Sequence, residues 1–268
     1  MLKITAKRII IATGAYERTL VFENNDLPGV YGAGGVQTMM NTYAIKPGMR
    51  ALVVGSGNVG LILSYQLLQS GVKVIAIVEA LPKIGGYLVH AAKVRRQGVE
   101  ILTSHTVVKA LGHKRVNGAV IAQIDSSFKP IPGTERELGC DLICIAVGLT
   151  PTYELAAQAG AEITFSPELG GFVARRTKFM EIKDGLYVAG DVSGIEEATT
   201  AMLEGEIVGV HASLKLGYAL PNDKEQLTSW VKRLDEERSG PFGEKIRRGL
   251  ENAIIPEREE IGVYPTVS

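Results

Sequence analysis

The sequence predicts an α/β fold in which a complete glycine-turn βαβ unit is flanked on both sides by pieces of a second parallel sheet. Three observations carry that expectation. The apolar run Arg50–Val54 ends in a turn with glycines at 55, 57 and 60 and passes into a helix-period stretch. A second apolar run, Val72–Val78, follows it and ends on an acid, Glu79. Two further strand-like runs, closing on Ala12-Thr13-Gly14 and on Gly190-Asp191, lie before and after that unit.

The elements follow in order. Residues 2–12 read as the end of one strand, a short turn and a buried strand Arg8–Ala12, whose Ile9-Ile10-Ile11 run suits a parallel sheet. Residues 17–35 are rich in turn formers, and a short helix is expected over Val36–Tyr43, stopping before Lys46-Pro47-Gly48. After the glycine turn, Leu61–Gln69 has an apolar face and is closed by Ser70-Gly71. Residues 86–97 read as helix, Val99–Thr103 as a third strand, and 105–138 as a small antiparallel excursion with a hairpin signal at Asn117-Gly118. Asp141–Ala146 is the next buried strand, ending at Val147-Gly148. Then come a short helix from Glu154 to Ala159, a strand Leu186–Ala189 and a long helix over 196–216. From Asn222 the composition turns charge-dense. Two helices are expected within 224–254, one striped by Leu227, Trp230, Val231 and Leu234, the other by Ile246, Leu250 and Ile254. The organisation this gives is a first segment 1–45, a nucleotide-type unit 46–150, a returning segment 151–220 and a charged helical tail 221–268.

Composition narrows the function. The chain has 268 residues, 46% hydrophobic and 22% charged, enough to bury a sizeable core. Lys+Arg and Asp+Glu are both 29, so the basic excess that nucleic acid or an anionic membrane would need is missing. Two cysteines, Cys140 and Cys144, cannot make a disulfide framework, a four-cysteine metal site or a CxxC pair. If their run is a strand they lie about 13 Å apart on one face and act as small buried hydrophobes. No apolar stretch reaches the length of a membrane span, and the apolar core of the first residues is too short for a signal peptide, so a cytoplasmic location is expected.

The strongest motif is Gly55-Ser56-Gly57-Asn58-Val59-Gly60. A lone G-x-G-x-x-G is weak, but here it follows a strand, opens a helix, and Glu79 falls 19 residues after Gly60. Gly55 permits the tight turn, Gly57 lets a pyrophosphate approach the backbone, and Gly60 lets helix and strand pack closely. The helix amino end then offers N–H groups and partial positive charge to phosphate. Glu79, with Ala80 beside it, would accept the hydroxyls of an adenosine ribose and repel a 2′-phosphate, favouring NAD(H) or another adenine nucleotide over NADP. The competing reading is a tight βαβ turn that binds nothing. Arg95 and Arg96, late in the next helix, read as a solvated face.

The order ATG strand, nucleotide unit, Gly-Asp strand resembles the two-dinucleotide-binding-domain flavoproteins, such as glutathione and thioredoxin reductases. That resemblance implies a Rossmann-like NAD-binding domain inserted in an FAD-binding domain of glutathione-reductase type. Residues 12–41 further resemble the α-type subunits of sarcosine oxidase, dye-linked proline dehydrogenase, opine oxidase and hydrogen cyanide synthase. On this likeness Ala12, Thr13, Gly14, Gly190 and Asp191 would touch FAD or FMN, Asp191 bonding its ribityl or pyrophosphate part. Val147 and Gly148 would mark the return to the flavin domain. The family carries an earlier G-x-G-x-x-G unit for the FAD pyrophosphate, which this sequence does not show. The FAD domain is therefore expected to be N-terminally incomplete, and the flavin to be shared with a partner chain.

The function expected is hydride or electron transfer between a nicotinamide nucleotide and a flavin, in a subunit of a heteromeric amine dehydrogenase. The partner would supply the absent βαβ unit, or be an FAD-containing β-type subunit that oxidises the amine. An exposed apolar seam should then need cover. The alternatives are a structural subunit that only binds an adenine nucleotide, and an NADH-dependent flavin reductase. No residue is assigned as general acid or base, and His90, His105, His113 and His211 are scattered.

Overall fold

The computed structural model describes residues 2–256. It divides into two compact units, one formed by Glu17–Gly148, the other by the segments up to Tyr16 and from Leu149 onward. The first flanking segment carries β1 (Ile9–Ile11) and β2 (Ala15–Glu17). The middle unit runs β3 (Val30–Gly32), α1 (Ala33–Asn41), β4 (Arg50–Val54), α2 (Asn58–Gln69), β5 (Lys73–Glu79), α3 (Leu88–Arg96) and β6 (Glu100–Thr103). It continues with β7 (His105–Gly112), β8 (Val116–Gln123), β9 (Arg136–Leu138) and β10 (Leu142–Ile145). The second flanking segment holds β11 (Leu149–Pro151), α4 (Glu154–Gln158), β12 (Ile163–Ser166), β13 (Gly171–Ala174), β14 (Glu181–Lys183) and β15 (Leu186–Val188). A 3-10 turn Gly190–Ser193 then leads to α5 (Ala198–Lys215), α6 (Asp223–Glu237) and α7 (Gly240–Leu250).

In the middle unit the parallel sheet has the order β3-β10-β4-β5-β6. Its strands are apolar on both faces because both are covered. Ala51, Val53, Leu142 and Cys144 point to a core shared with α1, α2 and α3 through Val36, Leu61, Leu67 and Val94. Leu52, Val54, Ile143 and Ile145 point the other way, onto Val107, Ala119 and Ile121 of the antiparallel β7-β8-β9 sheet. Each buried side chain of this size contributes roughly 1.5–3 kcal/mol. A register shift between Ala51 and Leu52 on β4 leaves Ile75 of β5 without a partner, the mark of a bulge. The segment 17–45 belongs here rather than with the flanks: β3 pairs with β10, and Val36 is fully buried.

The hairpin falls three residues earlier than Asn117-Gly118 suggests. Those two residues lie inside β8, and the turn is His113–Arg115. Gly112 makes it, at φ +136°, where a Cβ would lie 2.0 Å from the Arg115 carbonyl oxygen. Gly118 instead lies under the neighbouring strand, where a Cβ would stand a tight 3.1 Å from the Leu138 carbonyl oxygen.

In the other unit β1 and β15 run parallel and β14 closes the sheet antiparallel. β11 pairs with β2, and β12 with β13. The buried strand expected at Arg8–Ala12 is only partly so: β1 is an edge strand, with Ile9 52% and Ile10 48% exposed and only Ile11 buried. Residues 2–7 form no strand. The charge-dense C-terminal helices are docked. Leu227 and Leu234 of α6 pack on Leu203 and Ile207 of α5, and Ile246 and Leu250 of α7 pack on Leu169 and Val173.

Candidate functional site: a glycine turn and a Gly-Asp turn

The glycine turn leaves β4 at the carboxyl edge of the sheet, beside the end of β10. In open α/β sheets ligands settle at that edge, where the connections diverge. Gly55 has φ +108°, and a Cβ there would lie 2.2 Å from the Ala146 carbonyl oxygen. A Cβ at Gly60 would lie 2.1 Å from the Gly55 carbonyl oxygen. Internal packing therefore demands both glycines. Gly57 differs. It is the N-cap of α2 at φ −64° and ψ 173°, a conformation any residue adopts, and a Cβ there would meet nothing within 4 Å. The chain leaves an open approach to backbone at the positive end of a 12-residue helix.

The turn is held from one side by Glu79 at the end of β5, which is 8% exposed. Its Oε2 accepts from the Ser56 N–H (2.8 Å) and the Ser56 hydroxyl (2.6 Å), and its Oε1 from the Leu81 N–H (2.9 Å). The segment after Ala80 folds back over the turn. The Gly85 N–H donates to Ser56 Oγ (3.1 Å), the Gly86 N–H to the Ser56 carbonyl (2.9 Å), and the Tyr87 N–H to Asn58 Oδ1 (2.9 Å). Gly86 has to be glycine, since a Cβ would lie 2.8 Å from the Asn58 amide nitrogen. Ser56 is fully buried, while Val59, in the first turn of α2, is 37% exposed. Sequence reasoning missed the bracing by Ser56, Gly85 and Gly86. The doubled glycine of Lys83-Ile84-Gly85-Gly86 was its signal.

In the flanking unit the expected flavin residues stand at the carboxyl ends of two adjacent parallel strands, Ile11 pairing with Val188. Ala12 and Thr13 are exposed. The Thr13 hydroxyl donates to the Thr152 carbonyl (3.1 Å), and the Gly14 carbonyl accepts from the Thr152 N–H (3.0 Å) and hydroxyl (2.7 Å). Gly14 sits at φ +70° with open space where a Cβ would be. Val147 and Gly148 follow β10, and the Gly148 carbonyl accepts from the Arg18 N–H at 3.0 Å.

Gly190, at φ +77°, donates its N–H to Glu204 Oε2 (2.9 Å), which also accepts the Ser193 hydroxyl (2.6 Å). Glu204 is 2% exposed and lies against two buried arginines, Arg238 (2.6 Å) and Arg176 (3.5 Å). Half-burial, and next the charge of Glu204, hold the Asp191 carboxyl above the usual carboxylate range. Sequence reasoning missed Glu204, Arg176 and Arg238, because charged residues in helices and turns read as solvated. Burial pushes the Cys140 thiol up to about 12, with the Asp141 charge adding to it, and raises Cys144 as well, so neither is a nucleophile at neutral pH. Among the described residues no His/Cys/Asp/Glu cluster suits a metal, and no helix is long and apolar enough to cross a membrane.

A glycine turn at the sheet edge, braced by a buried acid and paired in one chain with an ATG strand and a Gly-Asp turn, defines a nucleotide-binding oxidoreductase of the doubly wound class. The chain belongs to the pyridine nucleotide-disulphide oxidoreductase family, whose model matches residues 2–205. It is 27% identical over 223 residues to the sarcosine oxidase subunit alpha of Corynebacterium sp. (strain P-1), covering 80% of this chain and 21% of that protein. It is 25% identical to the hydrogen cyanide synthase subunit HcnB of Pseudomonas protegens, covering 80% of this chain and 49% of that one. Among solved structures, L-proline dehydrogenase from P. horikoshii matches with TM-score 0.58 and 26% identity, over 84% of this chain and 38% of that one. The chain thus spans about a fifth to a half of the length of the curated relatives it matches.

Proposed function

We propose that this chain binds NAD(H) on the Gly55–Gly60 turn and serves as an electron-transfer subunit of a heteromeric amine dehydrogenase, its flavin (FAD or FMN) shared with a partner. The observation that carries the nucleotide reading is Gly57, the glycine of the motif that internal packing does not require. Its bare backbone and the amino end of α2 would receive the pyrophosphate. Ser56, Asn58 and Val59 would flank it, and Gly55 and Gly60 keep the turn tight. A carboxylate offers about four acceptor positions. Glu79 uses three on the loop, and the fourth would take a ribose hydroxyl near Ala80, a site hostile to a 2′-phosphate. Thr13, Gly14, Gly190 and Asp191 would bound the flavin. The cofactors supply the hydride chemistry, and the protein supplies position.

The partner reading rests on two supports. The relatives quoted above are named as subunits. The β1 edge, with Ile9 and Ile10 exposed on opposite faces, is the apolar seam a further βαβ unit would cover.

Calorimetric titration of the full chain with NADH, NADPH and ADP tests the nucleotide reading against Gly57→Ala. The substitution should leave the melting temperature unchanged and weaken NADH by at least about tenfold, the equivalent of 1.4 kcal/mol. Unchanged NADH affinity in Gly57→Ala sinks the reading. A wild-type chain that takes ADP as tightly as NADH and stays colourless with flavin points instead to a structural nucleotide-binding subunit.

A further inference from the structure

The Gly190–Asp191 turn is fastened by a buried four-charge network whose furthest member lies 47 residues on, just past the end of α6. Glu204, in the second turn of α5, reaches back to the turn. Its Oε2 takes both the Gly190 N–H and the Ser193 hydroxyl. Its Oε1 accepts from Arg238 Nη2 at 2.6 Å and stands 3.5 Å from Arg176 Nη2. Arg238 grips Glu196 with a two-pronged fork, Nε to Oε2 at 2.9 Å and Nη2 to Oε1 at 2.6 Å. Arg176 is fully buried and its backbone is stitched to the chain after α7, donating to the Ala253 carbonyl and accepting from the Ile255 N–H.

A network this dry is a poor way to gain stability. Well-packed hydrophobic residues of similar volume often hold a fold as firmly. They would, however, leave the Gly190 amide and the Ser193 hydroxyl without an acceptor. Glu204 supplies that acceptor at the start of a turn whose first residue is in the left-handed region, and Arg238 fixes where Glu204 sits.

We propose that Glu204 and Arg238 are positioning residues for Asp191: Arg238 anchors the Glu204 carboxylate, Glu204 holds the Gly190 amide and Ser193 hydroxyl, and the ion pair that Arg238 makes at the end of α6 thereby sets how the Asp191 carboxylate is presented to flavin. The flavin part rests on the function proposed above. The link from α6 to the turn does not.

The test uses the full chain carrying Arg238→Met, Arg238→Lys, Ser193→Ala and Asp191→Asn. Leu227→Ala serves as a control that loosens α6 packing without touching the network. Two quantities are read: hydrogen exchange of the Gly190 amide, and FAD and FMN affinity by flavin fluorescence. Arg238→Met should speed Gly190 exchange at least about tenfold beyond the change in core amides, with Arg238→Lys restoring part of it. Ser193→Ala should show the same direction at smaller size, and Leu227→Ala should move Gly190 no more than the core. Flavin affinity should fall in step in Arg238→Met and in Asp191→Asn. Gly190 exchange unchanged in both Arg238→Met and Ser193→Ala overturns the proposal. So does a loosened turn that leaves flavin affinity intact while Asp191→Asn weakens it. Should Asp191→Asn leave flavin binding untouched, the flavin role of Asp191 fails, and Gly190 exchange alone upholds or overturns the link to α6.

Discussion

Two buried glutamates, one in each unit, do the same mechanical job with opposite electrical surroundings. Glu79 ends β5 and ties down the glycine turn, and Glu204 rises from α5 and ties down the Gly-Asp turn. The partners bonded to Glu79 are all neutral, two backbone amides and one hydroxyl. Those of Glu204 are an amide, a hydroxyl and the Arg238 guanidinium, with the Arg176 guanidinium a further 3.5 Å neighbour. The difference teaches how each charge is used. Glu79 is bonded by neutral donors alone, which leaves its carboxylate suited to the ribose contact proposed above. Glu204 has its charge answered inside the protein, which leaves it a structural brace.

The contrast is sharpest under the same substitution. Glu204→Gln removes the charge that faces both guanidinium groups, leaving Arg238 to Glu196 alone and Arg176 without its nearest acid, and should cost about 3–5 kcal/mol. Glu79→Gln loses one accepted bond, facing the Leu81 N–H with a donor, and should cost about 1–3 kcal/mol. Urea unfolding of the two variants side by side checks the order. Equal losses would mean that the arginines do not answer the charge of Glu204 as the geometry indicates.

The glycines of the first turn offer a second, smaller contrast. Gly60→Ala forces a methyl into the Gly55 carbonyl and should destabilise the middle unit by about 1–3 kcal/mol, an overpacking penalty. Thermal melts would show it. A Gly60→Ala chain as stable as wild type would mean the strand-to-helix contact yields far more easily than the 2.1 Å approach implies.

What the sequence made legible and what it hid follow the same division. The parallel sheet was readable because strands buried on both faces are continuous apolar runs, and the glycine turn because its spacing has a steric cause. Glu79 was readable as a position. Its bonds to Ser56 and Leu81 were not, since the backbone beyond Ala80 folds back only in three dimensions. The Gly112 turn was hidden because Asn117-Gly118 is the stronger local signal, and nothing local reports that β9 runs close to Gly118. Ile9 and Ile10 read as buried from their side chains alone, although strand order makes β1 an edge. The arginine–glutamate network was least legible. Arg176, Glu196, Glu204 and Arg238 span 63 residues, and each alone suits a solvated face.

Asp191 gives the smallest and most discriminating effect, because its proton affinity joins the brace to the proposed flavin contact. Its carboxyl is held above the ordinary value by burial first and by the charge of Glu204 second. A raised carboxyl pKa means the folded chain binds the proton more tightly than the unfolded one. Its favourable contribution is therefore full below the unfolded value of about 3.9 and is lost as pH rises through the folded value. At neutral pH Asp191 is consequently a local liability, as functional groups often are. Asp191→Asn, which carries no charge at any pH, should be slightly more stable than wild type near pH 7. It should lose that advantage as the pH falls through the raised folded value toward about 3.9. The check is melting temperature against pH for both chains. If Asp191→Asn is less stable than wild type at pH 7, the carboxylate is answered by a partner inside the protein, and Asp191 belongs with Glu204 as a brace rather than with Glu79 among the proposed ligand contacts.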